Sequence, residues 1–91
     1  MLAKHCRIEG LVHGVGYRQA MQYEAEKLGL TGWVRNRRDG TVEAIACGSE
    51  AALAQFISWA SHGPNLAKVT QVLVTEAECP ENHSFVILAT E

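Results

Sequence analysis

The chain has 91 residues, of which 47% are apolar and 20% are charged, as in an ordinary globular domain. Eight Lys and Arg residues against ten Asp and Glu residues give a net charge of −2. This balance disfavours a dedicated nucleic-acid binder, because such proteins usually carry a basic excess. No apolar run approaches the ~20 residues that a membrane span requires. We therefore expect residues 1–91 to form a single soluble domain.

The N-terminus and the cysteines bear on location. Residues 1–10 contain no apolar core resembling that of a signal peptide. The three cysteines, Cys6, Cys47 and Cys79, form no C-x-x-C pair. A Cys6–Cys47 bridge is disfavoured, because strand alternation places these two side chains on opposite faces of the sheet. We therefore predict free thiols in a cytoplasmic protein.

The first half of the chain predicts a strand, a helix and a hairpin. Apolar and polar residues alternate over 4–12, which is typical of a half-buried strand. A helical stripe of apolar residues follows; Gly29 stands where a C-terminal cap is needed, and Leu30 can fold back on the helix. Asp39-Gly40 predicts the tight turn of a hairpin. The strands on either side of that turn are 32–36 and 41–47.

The second half predicts a helix and two further strands. Ser49 is a good N-cap for a helix whose apolar residues recur at i, i+3, i+4 and i+7. Gly63-Pro64 ends this helix. Residues 69–75 and 85–88 have the composition of strands.

The element order βαββαβ, with a short additional C-terminal strand, predicts an α+β sandwich of the ferredoxin-like type: an antiparallel sheet with two helices on one face. In this topology the first and second strands run parallel, with the third between them. Both end at the same edge of the sheet. The loop 14–18 should therefore lie beside Asn36, although 18 residues separate Arg18 from Asn36.

The loop after the first strand has the features of an anion site. Gly14 and Gly16 permit positive φ angles, so that backbone N–H groups can converge at the start of the following helix. The helix dipole favours a negative charge there, and Arg18 in the first turn adds a permanent positive charge. The pattern is neither a P-loop nor a dinucleotide fingerprint, since no Lys lies between residues 5 and 26 and position 19 is Gln19. Taken singly, Arg35, Arg37 and Arg38 are each typical of a solvated hairpin. Together they should add a positive rim that steers an anionic small molecule.

Residues for metal chemistry are missing. Asp39 is the one aspartate, and the four histidines are scattered along the chain. Phosphate chemistry here should therefore need no metal and no cofactor. This restricts the substrate to a phosphate with a good leaving group. An acyl phosphate qualifies, because its leaving group is a carboxylate. The conjugate acid of that carboxylate has a pKa of about 4–5, so the leaving group needs no proton.

Two motifs resemble those of the acylphosphatase family. The first is Gly-x-Val-Gln-Gly-Val-x-Phe/Tyr-Arg, which matches residues 10–18 except that His13 replaces Gln. The second is Gly-aromatic-small apolar-x-Asn, then Gly-x-Val and a further Gly, which matches residues 32–36, 40–42 and Gly48 without departure. The resemblance is specific because both motifs occur in order and with the family's spacing.

The resemblance implies a ferredoxin-like fold that hydrolyses acyl phosphates to a carboxylate and inorganic phosphate. Arg18 and Asn36 would be the catalytic side chains: Arg18 binds the phosphoryl group and Asn36 orients the attacking water. The backbone N–H groups that bind the phosphoryl group would be those of His13, Gly14, Val15, Gly16, Tyr17 and Arg18. The expected partner is a small acyl phosphate, with phosphate as product and inhibitor, and with no nucleic acid or membrane; the protein should act as a monomer.

Several alternatives stay open. Tyr17 and Trp33 are expected to pack on the apolar side of their elements, and the His13 side chain to face solvent. The same fold could serve as a non-catalytic phosphate-binding or regulatory module, as in a larger carbamoyltransferase that matures hydrogenases. The chain length, with both ends just outside predicted strands, favours a self-standing enzyme. RNA binding is disfavoured, since 41–47 carries no aromatic residue for base stacking.

Overall fold

A computed structural model describes residues 1–91. Its five strands and two helices follow in the predicted order. They are strand β1 (Leu2–Leu11), helix α1 (Tyr17–Lys27), strands β2 (Thr31–Asn36) and β3 (Val42–Gly48), helix α2 (Glu50–Ala60), and strands β4 (Lys68–Ala77) and β5 (Phe85–Ile87). The helix ends follow from local chemistry. Beyond α1, Gly29 takes a φ of 73° and the Leu30 N–H donates to the Ala25 carbonyl, as in a Schellman cap. At α2, the Ser49 side chain accepts a hydrogen bond from the Ala52 N–H.

The strands form one sheet in the order β4-β1-β3-β2-β5. Strand β3 is antiparallel to both β1 and β2, so β1 and β2 run parallel and end at the same edge. This confirms the ferredoxin-like α+β prediction. One detail was wrong: the sheet is mixed, because β5 pairs in parallel with β2. The reason is the crossover 78–84, which starts from β4 at one edge of the sheet and delivers the chain to the opposite edge.

The core lies between one face of the sheet and the two helices. Alternate strand residues such as Ile8, Val34 and Ala44 are fully buried there, against Met21 of α1 and Phe56 of α2. We call this the helix face and the other the open face.

The prediction that Trp33 packs on the apolar side of its strand was wrong. Val34 faces the helices, so the pleat places Trp33 on the open face. There the guanidinium of Arg35 lies 4.8 Å from the Trp33 ring centroid, a cation–π arrangement.

The prediction of free thiols was also wrong for two of the three cysteines. Cys47 and Cys79 form a disulfide, and Cys6 is free. The alternation argument holds for Cys6, which is fully buried on the helix face and therefore cannot contact Cys47 on the other face. Burial raises the pKa of the Cys6 thiol to about 11. Cys47 lies on the open face, where the crossover from β4 brings Cys79 to it. That approach depends on the path of the crossover, which strand alternation does not reveal.

Candidate active site

The loop between β1 and α1 is shaped by two glycines. Gly14 and Gly16 have φ angles of 71° and 76°, in the left-handed region that side-chain-bearing residues rarely adopt. Gly16 is also the N-cap residue that precedes α1, and no side chain caps this helix end. The loop therefore turns sharply while leaving the helix N-terminus open.

The backbone N–H groups of this loop have no partners in the protein. Outside the helices and the sheet, 15 backbone hydrogen bonds are formed, and none is donated by residues 13–18. No side chain accepts a hydrogen bond from these groups either. Unpaired N–H groups at a helix N-terminus bind anions, because the donors and the positive end of the helix dipole point to the same place. We call residues 13–18 the cradle.

Arg18 is the charged side chain of the cradle. It stands in the first turn of α1 and is half-buried. It forms no ion pair, whereas Arg7, Arg35 and Arg37 each contact a carboxylate within 4 Å. Its charge is thus available to an external anion.

The arginines of the hairpin do not form the expected positive rim. Arg35 Nε lies 2.8 Å from Glu43 Oε1, and Arg37 Nη1 lies 3.4 Å from the same atom. His5 Nε2 lies 2.7 Å from Glu43 Oε2. Arg35 Nη1 also lies 2.9 Å from Glu91 Oε2, so that two carboxylates offset the charges of Arg35 and Arg37. Of the three hairpin arginines, Arg38 alone is exposed without a carboxylate partner.

Asn36 ends β2 with its side chain on the helix face. Its strand neighbour across the ladder is Val42, which also pairs with Ile8 of β1, so the three residues form one row. Asn36 is only 9% exposed, yet no protein group donates a hydrogen bond to its Oδ1. A buried polar atom without a partner costs about 1–3 kcal/mol. The Asn36 side chain thus stands at the edge where β1 and β2 both end, with an amide oxygen that no protein group satisfies.

One hydrogen bond links the cradle to the hairpin that follows Asn36. His13 Nε2 lies 2.8 Å from the carbonyl oxygen of Thr41, the residue before Val42. The expectation that the His13 side chain faces solvent was therefore wrong: it is half-buried against the hairpin. Thr41 was not singled out from the sequence, since a backbone carbonyl carries no residue-type signal.

Two further cradle residues, Tyr17 and Val15, direct their side chains to the core. Tyr17 packs in the core as predicted, only 1% exposed, with its hydroxyl donating to the Ala60 carbonyl at 2.8 Å. Burial raises the pKa of this phenol well above its ordinary value. Val15 packs partly against the core. Tyr17 and Val15 can therefore contribute only backbone N–H groups to the cradle.

The structure contains neither a metal-binding cluster of side chains nor a membrane-spanning helix. No three His, Cys, Asp or Glu side chains are grouped so that they could hold a metal ion. Neither helix is long and apolar enough to cross a membrane.

The chain is similar in sequence and in structure to known proteins. Residues 4–87 match the family model described as Acylphosphatase. The chain is 49% identical over 84 residues to an acylphosphatase of Acidovorax sp. (strain JS42), which covers 92% of this chain and 87% of that protein. The crystal structure of acylphosphatase from Bacillus subtilis is similar with a TM-score of 0.91 at 44% identity, covering 97% of this chain and 99% of that one. A crystal structure of full-length HypF, in a phosphate- and nucleotide-bound form, is similar at a TM-score of 0.87 and 30% identity, covering 98% of this chain but 12% of that one.

Proposed function

The chain belongs to the acylphosphatase family, and we propose that it hydrolyses the carboxyl–phosphate bond of acyl phosphates with Arg18 and Asn36 as its catalytic side chains. The observation that carries the proposal is the row of unpartnered N–H groups over residues 13–18, which opens beside an arginine without a carboxylate. This arrangement suits a phosphoryl group, which has several oxygens to accept hydrogen bonds.

In the binding step, phosphoryl oxygens accept hydrogen bonds from the backbone N–H groups of the cradle. The Arg18 guanidinium adds a charged contact. Because the donors are held by the fold, they need no rearrangement as negative charge shifts over the phosphoryl oxygens during the reaction. Binding and transition-state stabilisation thus use the same groups.

In the chemical step, Asn36 holds a water molecule in line with the bond that breaks. Its side-chain amide, at the edge where β1 and β2 end, forms the hydrogen bond that orients this water. The water oxygen bonds to phosphorus, and the phosphorus–oxygen bond to the acyl group breaks with its electron pair leaving on the carboxylate. The protons of the water pass to the phosphate product and to solvent. No general acid is required, since the leaving carboxylate is a weak base.

The proposal extends to the form in which the protein works. We propose that residues 1–91 act as one self-contained domain, as a cytoplasmic monomer without metal or cofactor. The relatives named above support the first point, because the chain spans 87% and 99% of their lengths. The Cys47–Cys79 disulfide bears on the proposed location, because structural disulfides are rare in the cytoplasm. Rapid alkylation of freshly lysed cells would show whether these two cysteines are reduced or oxidised. Light scattering would measure the mass of the particle and so test whether it is a monomer.

A second candidate function is a phosphate-binding or regulatory module without turnover. It is favoured by the similarity to HypF, in which a region of this size occupies a small part of a long chain. The two candidates differ in one measurable property, which is turnover of an acyl phosphate.

The experiment is hydrolysis of a simple aromatic acyl phosphate in excess EDTA, with wild type beside Arg18→Ala. We expect turnover that survives the chelator and falls in the variant by at least about 10²-fold, as when one oxyanion donor is lost. Arg38→Ala, which removes an exposed arginine of the hairpin, is the matched control and should retain activity. No turnover from folded wild type would favour the binding module, and full activity of Arg18→Ala would refute the assigned site.

A further inference from the structure

His13 is the one residue at which the cradle departs from the family motif, and its side chain forms a hydrogen bond. The imidazole is half-buried, and its Nε2 lies 2.8 Å from the carbonyl oxygen of Thr41. A carbonyl oxygen only accepts hydrogen bonds, so Nε2 carries a proton and donates it. This contact joins the cradle directly to the β2–β3 hairpin across 28 residues of sequence.

The acceptor is held in place by the hairpin turn. The Thr41 carbonyl also accepts a hydrogen bond from the Arg37 N–H at 2.8 Å, which uses its second lone pair. Asp39 Oδ1 accepts from the Thr41 N–H at 3.0 Å and from the Thr41 hydroxyl at 2.7 Å. Thr41 is only 8% exposed. The carbonyl is therefore a rigid point of attachment.

This point of attachment is also next to the water-binding residue. Arg37 follows Asn36 in the chain, and Thr41 precedes Val42, which is the ladder partner of Asn36. A displacement of the Thr41 carbonyl relative to the cradle would thus change the distance between the cradle and Asn36.

We propose that His13 is a positioning residue, whose hydrogen bond to Thr41 sets the spacing between the phosphoryl group in the cradle and the water held by Asn36. The inference rests on the proposed function, because it presumes that these two groups share one substrate. It assigns the side chain of His13 a role separate from that of its backbone N–H, which belongs to the cradle.

The test compares His13→Ala and His13→Gln in the aromatic acyl phosphate assay. We expect kcat to fall about tenfold in His13→Ala, since misplacing reacting groups by a fraction of an ångström slows a reaction substantially. Inhibition by inorganic phosphate should change less than about threefold, because the cradle N–H groups and Arg18 remain. His13→Gln should restore kcat to within about threefold of wild type, because a glutamine amide nitrogen reaches about as far and can donate to the same carbonyl.

Controls separate the possible failures. His83→Ala removes an exposed histidine and should behave as wild type. Arg18→Ala, run in the same assay, tests the proposed function: if it retains activity the site itself is misassigned. If Arg18→Ala is inactive while His13→Ala keeps wild-type kcat, only the positioning role is refuted. An equal loss in His13→Ala and His13→Gln would also refute it, because the shared hydrogen bond would then not matter.

A measurement on the wild type keeps the inference testable if His13→Ala does not fold. Nitrogen-15 chemical shifts of the imidazole at neutral pH distinguish a proton on Nε2 from one on Nδ1. A proton on Nε2 is expected. A neutral ring protonated only on Nδ1 could not donate to Thr41 and would overturn the proposal.

Discussion

The Cα atoms of Cys47 and Cys79 lie 5.4 Å apart and a disulfide joins the two residues, although β1 lies between β3, which carries Cys47, and β4, after which Cys79 follows. Cys79 belongs to the crossover, which passes from β4 towards β5. A second attachment follows at Asn82, whose side chain donates to the Gly32 carbonyl at the start of β2. Both attachments lie at the end of the sheet opposite to the cradle. They should therefore contribute to stability and not to catalysis.

Cys79→Ser should lower the free energy of unfolding by about 2–4 kcal/mol, since the bond closes a loop of 32 residues. Urea denaturation would measure the loss, and kcat of the folded protein should stay within about twofold of wild type. Wild type in excess dithiothreitol provides the matched control, because reduction breaks the same bond without substitution. A variant that is much less stable than the reduced wild type would show that the serine itself disturbs the crossover.

Asn36→Ala should lower kcat by about 10²-fold, because the water would lose its orienting group. Competitive inhibition by phosphate should remain nearly unchanged, since anion binding belongs to the cradle and Arg18. Steady-state kinetics with phosphate as inhibitor would measure both quantities. Asn82→Ala is the matched control: it removes an amide near the opposite end of β2 and should reduce stability while preserving kcat. If phosphate inhibition disappears in Asn36→Ala, the division of roles between the two catalytic side chains is wrong.

Glu43 should make the protein sensitive to acid. Burial alone would raise the pKa of this carboxyl, but hydrogen bonds from His5 and Arg35 outweigh burial and hold the pKa below its ordinary value of 4.5. The stabilisation is therefore present above that pH. It is lost as the pH falls from 4.5 towards the lower pKa of the folded state, because protonation then accompanies unfolding.

The corresponding measurement is the urea midpoint between pH 3 and pH 7. Glu43→Gln should be less stable than wild type at pH 7 and should lose less stability on acidification. Glu81→Gln, at an exposed glutamate without an ion pair, should show the acid dependence of wild type. Parallel curves for wild type and Glu43→Gln would mean that Glu43 does not contribute to the acid transition.

Much of the fold depends on short-range patterns, which explains why it could be predicted. Alternation identifies β1, and the positive φ of Gly29 ends α1 where a helix cap is needed. The hairpin follows from Asp39-Gly40, whose conformational preferences are local. The candidate site benefits in the same way: the glycines of the cradle and the position of Arg18 are visible in sequence because they serve one turn and one helix end.

Contacts between residues far apart in the chain were decided only by the tertiary structure. The Cys47–Cys79 bond and the parallel direction of β5 both depend on the path of the crossover. Trp33 lies on the open face because its neighbour Val34 is required in the core, and the ladder settles which of the two faces inward. The hydrogen bond from His13 to Thr41 depends on where β1 and the hairpin end relative to each other. Residue type and spacing determine local conformation, whereas packing determines which distant groups come within a few ångströms of one another.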